Sequence, residues 1–477
     1  MEINKSLVIK SLFWKFFERL GTQLVSFAVT ILIARKLLPE QYGTVALVTI
    51  FINICNVIID GGFNTALIQK KNVDNKDFST ILYFSLAVAV VLYIILFTFA
   101  PHIALFFNDP ILTDVIRVLS LNLVFYAINS IQRAYVSKYM LFNKLFYSSF
   151  IAVIISGLIG VVMAYKGFGV WSLVAQNVSN IVVTSAVMCC TINWKPILTF
   201  SLERFKTLFS YGWKIFMANF ITVIFLEIRK LLIGKKYSRS DLAYYEKGDQ
   251  IPGLIMGNIF TSIQSILLPT FSEYQDDKLK VKTMMRRSTK MSCFVIYPMM
   301  VGMIVLAEPM IQILLGDKWL GVVPFIQILC VANFFRPITI SNWEAIKALG
   351  YSEITLKLEV LKKVIDVLIL LVSIRMGVEA IAWGVVTYNF ICIFINLAPN
   401  VKLLDYKIRE QILDATPTLI ISLVMGIAVY FAGNINLGIY LLTTIQILVG
   451  ILTYTLLCAV LKEDSFCYLL ETIRKKR

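Results

Sequence analysis

The sequence predicts an all-α polytopic membrane protein: about fourteen transmembrane helices, arranged as two parallel six-helix lobes with two further helices at the C-terminus. Three observations carry this. Of the 477 residues, 58% are hydrophobic and 16% charged, with a mean hydropathy of +0.79, whereas soluble domains hold roughly 45–50% apolar and about 25% charged residues. Apolar runs of about 18 residues or more, each long enough to cross a hydrocarbon core as a helix, recur from end to end. The runs are continuously apolar, without the alternation of a barrel strand, so the helix is the spanning structure that satisfies the backbone.

In chain order the spans fall at 11–33, 43–62, 79–100, 113–136, 145–165, 169–191, 208–233, 248–270, 291–315, 321–344, 355–374, 378–399, 413–432 and 436–461. The first has no small-residue cleavage site and reads as a retained helix. It carries Glu18 and Arg19, for which cavity lining and a local pair are both open. The second ends on Asp60 before Gly61 and Gly62, a cap or loop position. The third ends at Pro101 beside His102, the only histidine, which reads as a surface residue. In the fourth, Asn129, Gln132 and Arg133 form a polar stripe at helical spacing. Gly167 to Gly169 is a tight turn between the fifth and sixth, not a phosphate loop. The seventh holds Glu227, Arg229 and Lys230. The eighth is entered through Tyr244 to Gly253, with Glu246, Lys247 and Asp249 expected in its first turn, where the helix dipole explains the acids. A second reading turns these charges to a cavity mouth, with Tyr244 and Tyr245 facing sugar rings. The longest connection precedes the ninth span. The tenth holds Arg336, Pro337 and Glu344, the eleventh Lys362, Lys363 and Asp366, and a basic tail follows the fourteenth.

Counted with the N-terminus in the cytoplasm, the segments on that side carry nearly three times the Lys and Arg of those opposite. The positive-inside rule therefore puts both termini in the cytoplasm. It also accounts for most of the net charge of +16 without a nucleic-acid partner. The eight cysteines form no CxxC pair, so neither a zinc site nor a disulfide framework is expected. No cofactor is expected beyond an H⁺ or Na⁺ coupling ion. No Walker A motif occurs, and the outer loops are too short for a glycan polymerase or ligase, so the chain reads as a non-enzyme.

Internal repetition supports the two lobes. Ile33 to Gly43 aligns with Ile233 to Ala243, and the segment from Phe125 aligns with that from Phe334, bringing Lys138 opposite Lys347. The expected division is 1–200 for helices 1 to 6, 201–400 for helices 7 to 12, and 401–477 for the last two helices and tail. Even-numbered lobes run in the same direction through the membrane, an arrangement whose substrate site lies between the halves.

The phrases "LIARKLLPEQYGTVALVTIF", "ALIQKKNVDNKDFSTILYF", "LLPTFSEYQDD" and "LLGDKWLGVVPFIQIL" resemble those of Wzx-type polysaccharide (O-antigen repeat-unit) flippases. These form the polysaccharide transporter branch of the multidrug/oligosaccharidyl-lipid/polysaccharide exporter superfamily, which includes colanic and teichuronic acid exporters, drug antiporters and the lipid II flippase. The resemblance implies a bacterial plasma membrane protein that moves an undecaprenyl-diphosphate-linked oligosaccharide from inner to outer leaflet by alternating access. Its implied partners are that substrate, membrane lipids, a glycan polymerase and a chain-length regulator. The alternatives are a cation-coupled multidrug antiporter of the same superfamily and a structural scaffold.

A diphosphate cargo needs cations in a wet cavity, and charged groups within spans usually face a cavity or pair with one another. The expected substrate contacts are Arg19, Arg133, Arg229, Arg336 and Lys247, with Glu18, Glu227, Glu246, Asp249, Glu344 and Asp366 balancing charge or coupling an ion. Lys15, Arg117, Lys214, Lys362 and Lys363 lie near span ends and are expected to snorkel to the interface. Counted back from Ile233, Arg229 stands where the Wzx-like pattern has an acid, a departure that weakens an ion-coupling carboxylate there. Arg229 is thus expected to meet the diphosphate, Glu227 to balance or gate it, and Lys230 to reach the interface.

Overall fold

The computed structural model describes residues 5–474. Lys475 to Arg477 of the expected basic tail lie outside the described residues, as do the side chains of 5–13, 16, 265, 352, 473 and 474. The described chain is helical, with no strand. Among the described residues, twelve helical segments are long and apolar enough to cross a membrane. The other two expected spans, the seventh and eleventh, are helices of 35 and 22 residues in which charges interrupt the apolar stretch. This is a multi-pass membrane protein.

Contacts divide the chain into two compact units, Met1–Ala243 and Tyr244–Arg477. The first holds α1 (Lys5–Ala34), α2 (Pro39–Asp60), α3 (Phe63–Gln69), α4 (Asn75–Phe107), α5 (Ile111–Leu119), α6 (Asn122–Lys138), α7 (Phe142–Tyr165), α8 (Val170–Thr191) and α9 (Leu202–Lys236). The division falls inside α10 (Arg239–Glu273). The second unit continues with α11 (Lys278–Leu314), a 3₁₀ turn (Asp317–Val322), α12 (Val323–Asn333), α13 (Arg336–Ala348), α14 (Ser352–Ser373), α15 (Val378–Leu403), α16 (Ile408–Ala432), α17 (Ile439–Val460) and α18 (Asp464–Arg474). Because α9 packs on α2, α3 and α4, it counts with the first unit. The repeat boundary expected at residue 200 concerns internal symmetry, which packing contacts do not test.

In the first unit, Phe63 and Leu67 of α3 pack with Phe78 and Ile81 of α4, Ile131 of α6 and Leu208 of α9. The turn between α2 and α3 is pressed against α9: Gly62 has φ +72°, and a Cβ there would lie 2.1 Å from the Gly212 carbonyl. A glycine is required on both counts. At this end Asp77, fully buried, accepts two bonds from Lys70 Nζ at 2.8 and 2.7 Å and one from Arg204 at 3.2 Å. Asp74 caps α4 through the Asp77 amide at 3.0 Å and also pairs with Arg204. The "QKKNVDNKD" phrase is therefore a charged corner that starts α4.

In the second unit α16 and α17 pack on α11, where Val301 meets Ile421, Met425, Val429 and Tyr454. A comparable corner starts α11. Asp277 caps it through the Lys280 amide at 2.9 Å, and Asp414 accepts from Arg286 at 2.7 and 2.8 Å and from the Tyr406 hydroxyl at 2.5 Å. Burial and the adjacent Asp414 carboxylate push the Tyr406 hydroxyl well above its ordinary pKa.

Three local readings change. The fourth span is two helices, broken at Ser120 and Leu121, and the tenth is broken at Phe334 and Phe335. The entry to the eighth span begins earlier than expected, at Arg239. Asp241 Oδ2 accepts from the Ser238 amide at 3.1 Å, and Ser238 Oγ accepts from the Asp241 amide at 3.0 Å, a reciprocal cap that fixes the start. Glu246, Lys247 and Asp249 thus lie beyond the first turn, and the helix-dipole explanation fails for them. Finally, Tyr245 is 4% exposed and packs edge-on to Phe325, while Tyr244 meets Trp319 and donates to the Lys318 carbonyl at 3.3 Å. These rings pack against protein, and Tyr245 has no open face for a sugar.

Candidate functional site

The break in the fourth span positions a polar helix. Ser120 Oγ donates to the Arg117 carbonyl at 3.1 Å, and the Leu123 amide restarts the helix by donating to the Ser120 carbonyl at 3.0 Å. From there α6 carries Asn122, Tyr126, Asn129, Ser130 and Arg133 on one stripe. On α2, Thr49, Asn53 and Asn56 recur at the same period, and on α8 so do Asn177, Asn180 and Thr184. The three stripes face one cavity of about 360 Å³, which also receives Asn64. Membrane helices hide such side chains from lipid by turning them inward.

A hydrogen-bond web fixes the wall. Asn64 Nδ2 donates to Ser130 Oγ at 2.8 Å, and Ser130 Oγ donates to Asp60 Oδ1 at 3.1 Å. Asn129 Nδ2 donates to the Ile181 carbonyl at 3.3 Å, and its Oδ1 accepts from Ser185 at 3.0 Å. The Oδ1 atoms of Asn56, Asn64 and Asn122 are buried without a partner among the described residues. A buried acceptor in that state costs about 1–3 kcal/mol unless a ligand or water fills it. Arg133 lines the cavity and is exposed to it.

Glu227, on α9, backs this wall through Asn53. It is 6% exposed, its Oε1 accepts from Asn53 Nδ2 at 2.9 Å, and Lys230 Nζ lies 3.4 Å from its Oε2. Lys230 is thus held against Glu227, with its side chain still 23% exposed. Arg229, half-buried, sits two residues on from Glu227, about 200° around the helix. On α1, Glu18 is half-buried and Arg19 exposed, and Thr22 Oγ1 donates to the Glu18 carbonyl at 2.5 Å.

In the second unit Pro337 opens α13 after the break, and Arg336 precedes it. The Arg336 guanidinium lies 5.4 Å from the Phe260 ring centroid, with Nη1 donating to Asn333 Oδ1 at 3.5 Å. Asp249, on α10, is exposed. Lys247 Nζ donates to Gln250 Oε1 at 2.8 Å, with Glu246 beside it in sequence. Glu344, 2% exposed, accepts from Lys347 at 2.9 Å and from Gln264 at 3.3 Å. Lys362 pairs with Glu359 at 2.6 Å and sits 4.0 Å over the Trp343 ring. It is 7% exposed, so it does not snorkel: its charge is neutralised within the bundle. Asp366, half-buried, continues the same face of α14. An apolar groove of about 540 Å³ runs between α10 and α11, past Ile259, Ile263, Ile266 and Val295.

Sequence reasoning missed most of the asparagine wall, the Asp77 corner, and Arg239, which bridges Glu40 and Asp109 at 2.6 Å each. The signal for the wall was present as asparagines spaced three and four residues apart in spans two, four and six. Among the described residues no group of three His, Cys, Asp or Glu side chains is placed to hold a metal, and the cysteines are free.

Two compact units of long apolar helices, each with a span interrupted by a short non-helical joint, define the class as a multi-pass membrane protein. The family model for polysaccharide biosynthesis proteins matches residues 32–324, and the chain belongs to that family. It is 25% identical over 334 residues to the succinoglycan biosynthesis transport protein ExoT of Rhizobium meliloti (strain 1021), covering 69% of this chain and 67% of that one. It is 22% identical over 423 residues to the lipopolysaccharide biosynthesis protein WzxC of Escherichia coli (strain K12), covering 86% and 85%. Among solved structures, the lipid II flippase MurJ in an inward closed conformation superposes with a TM-score of 0.74 over 96% of this chain and 99% of its own, at 16% identity. That likeness shows the fold.

Proposed function

We propose that this protein is a flippase for an undecaprenyl-diphosphate-linked oligosaccharide, moving it from inner to outer leaflet for cell-surface polysaccharide synthesis. The single observation that carries the reading is the asparagine-lined cavity with Arg133 in its wall. Amides donate to and accept from sugar hydroxyls, and a guanidinium grips a phosphate with two parallel bonds. The apolar groove between α10 and α11 suits a polyprenyl tail. The lobes 1–200 and 201–400 would alternate access, with both termini in the cytoplasm and the protein in the bacterial plasma membrane. Arg229 and Arg336 are proposed as further headgroup contacts, and Arg19 and Lys247 as entry cations. Glu18, Glu246 and Asp249 balance them, and a polymerase and chain-length regulator act downstream. No enzymatic step belongs to this scheme.

The test is reconstituted translocation of a lipid-diphosphate glycan by Arg133→Ala, Arg229→Ala and Arg336→Ala. Unchanged flipping in all three removes the cationic-cavity reading. A cation-coupled drug antiporter is the second reading, favoured by the buried carboxylates Glu227 and Glu344, with Asp366 as a third candidate. It requires that a cationic drug be exchanged for H⁺ or Na⁺ in the same liposomes, and that Glu227→Gln or Glu344→Gln abolish the exchange.

A further inference from the structure

A basic recess at the chain's end has no part in the transport scheme. α18 follows α17 after a short turn and lies against α11. Lys290 Nζ reaches Asp464 Oδ2 at 2.6 Å, and the Arg287 guanidinium sits 3.4 Å from the centroid of the Tyr468 ring. Between the two helices is a cavity of about 350 Å³ lined by Arg286, Arg287, Lys290, Asp464, Ser465 and Tyr468, among others.

The donors here are unevenly used. Arg286 is committed to Asp414 by two bonds, and Lys290 is shared between Asp414 and Asp464. Arg287 has no carboxylate at ion-pair distance among the described residues; its charge rests on an aromatic face. Ser465 is 3% exposed, and its hydroxyl has no hydrogen-bond partner among the described residues. A buried, unpaired hydroxyl in the wall of a cationic recess is costly unless an acceptor occupies the recess. The amide of Phe466 is already taken by Glu463 Oε2 at 2.9 Å.

We propose that this recess binds the phosphate of an anionic phospholipid, held by Arg287, Lys290 and the Ser465 hydroxyl. The level is that of a headgroup: the apolar stretch of α17 ends at Val460, and α18 beyond it leaves Tyr468 and Leu470 exposed as an interfacial helix does. The lining carries three cations against one carboxylate. Met291 continues the lining in the apolar direction, toward the acyl chains. Basic recesses between membrane helices hold lipid headgroups by this combination. The bound lipid would clamp α18 to α11. The inference uses the membrane setting only and is independent of the flippase reading.

The full chain is placed in nanodiscs of phosphatidylcholine with or without phosphatidylglycerol, and retained lipid is counted by native mass spectrometry. Wild type is expected to keep phosphatidylglycerol in preference to phosphatidylcholine. Arg287→Gln is expected to weaken retention about fivefold, and Arg287→Gln with Lys290→Gln about 25-fold, at roughly one such factor per cation. Lys407→Gln, at an exposed lysine outside the recess, is expected to change nothing. Equal retention in Arg287→Gln and wild type overturns the proposal. So does full displacement of the lipid by millimolar inorganic phosphate, which identifies a free-anion site instead. If the double variant does not fold, Arg287→Gln alone decides, because no ion pair is lost with it. A second readout is alkylation of Cys467 on α18, expected to slow on adding phosphatidylglycerol in wild type and not in Arg287→Gln.

Discussion

Each unit has a broken span whose second helix carries an arginine, about three turns past the break in the first (Arg133) and directly at it in the second (Arg336), and they furnish it differently. In the first, α6 resumes with a stripe of amides, and Arg133 shares a cavity of about 360 Å³ with asparagines from α2 and α8. In the second, α13 resumes on a proline, and Arg336 rests against the Phe260 ring with one weak bond to Asn333. The backbone device is shared; the chemistry is not. An amide wall can read hydroxyl positions, whereas a cation on an aromatic face offers charge with little directionality. We propose that headgroup selectivity resides in the first unit and that the second supplies charge.

The largest effects should come from the two charged corners, which test whether the units are held together alike. Asp77→Ala leaves Lys70 and Arg204 without their buried acceptor, and removing one partner of a buried pair costs about 3–5 kcal/mol. Asp414→Ala strips Arg286, Lys290 and Tyr406 in the same way. Both are expected to lower the thermal midpoint in detergent by comparable amounts. A large loss for Asp77→Ala beside a negligible one for Asp414→Ala would end the equivalence of the corners.

Next come the arginines. A charge-assisted bond contributes about 1.5–3 kcal/mol, so Arg133→Ala should slow translocation roughly 10- to 100-fold, with little change in melting temperature. Arg336→Ala should cost less, since its charge is not fixed by a strong bond. The reverse order would place selectivity in the second unit.

The spans were legible because membrane insertion demands long apolar runs, a constraint written residue by residue. α9 shows the limit: its charges break the apolar stretch, yet Glu227 is buried because Asn53, 174 positions away in sequence, supplies the bond. Pairing across that distance has no local signature. The breaks after Leu119 and Asn333 were equally hidden, as Ser120 is a weak helix breaker and Pro337 marks the restart and not the end. Arg133 was found because its stripe lies within one helix. The cavity around it was not, because it needs three helices in register.

A smaller effect, with a sign that separates ligand binding from folding, is expected inside the cavity. Asn122→Leu removes an unpartnered buried acceptor, so stability should be unchanged or rise by up to about 1 kcal/mol. Translocation should fall all the same. Parallel loss of both would assign Asn122 to folding and leave the amide wall without a role in recognition.

The smallest effect is one of pH, read at the first unit's corner. The Arg204 guanidinium beside Asp74 lowers its carboxyl from 3.8 to about 2. A lowered folded-state value means that the pair stabilises the fold fully above the unfolded-state value near 4, and that this is lost as pH falls toward 2. The Asp74 side chain is 50% exposed, so solvent and salt limit the contribution to about 1 kcal/mol or less. The difference in thermal midpoint between wild type and Asp74→Asn should therefore be constant from neutral pH down to about 4.5 and vanish near pH 2. Salt should shrink it throughout. A difference that persists at pH 2 would mean that Asp74 acts through its cap on the Asp77 amide, a hydrogen bond the asparagine was expected to keep, and not through Arg204.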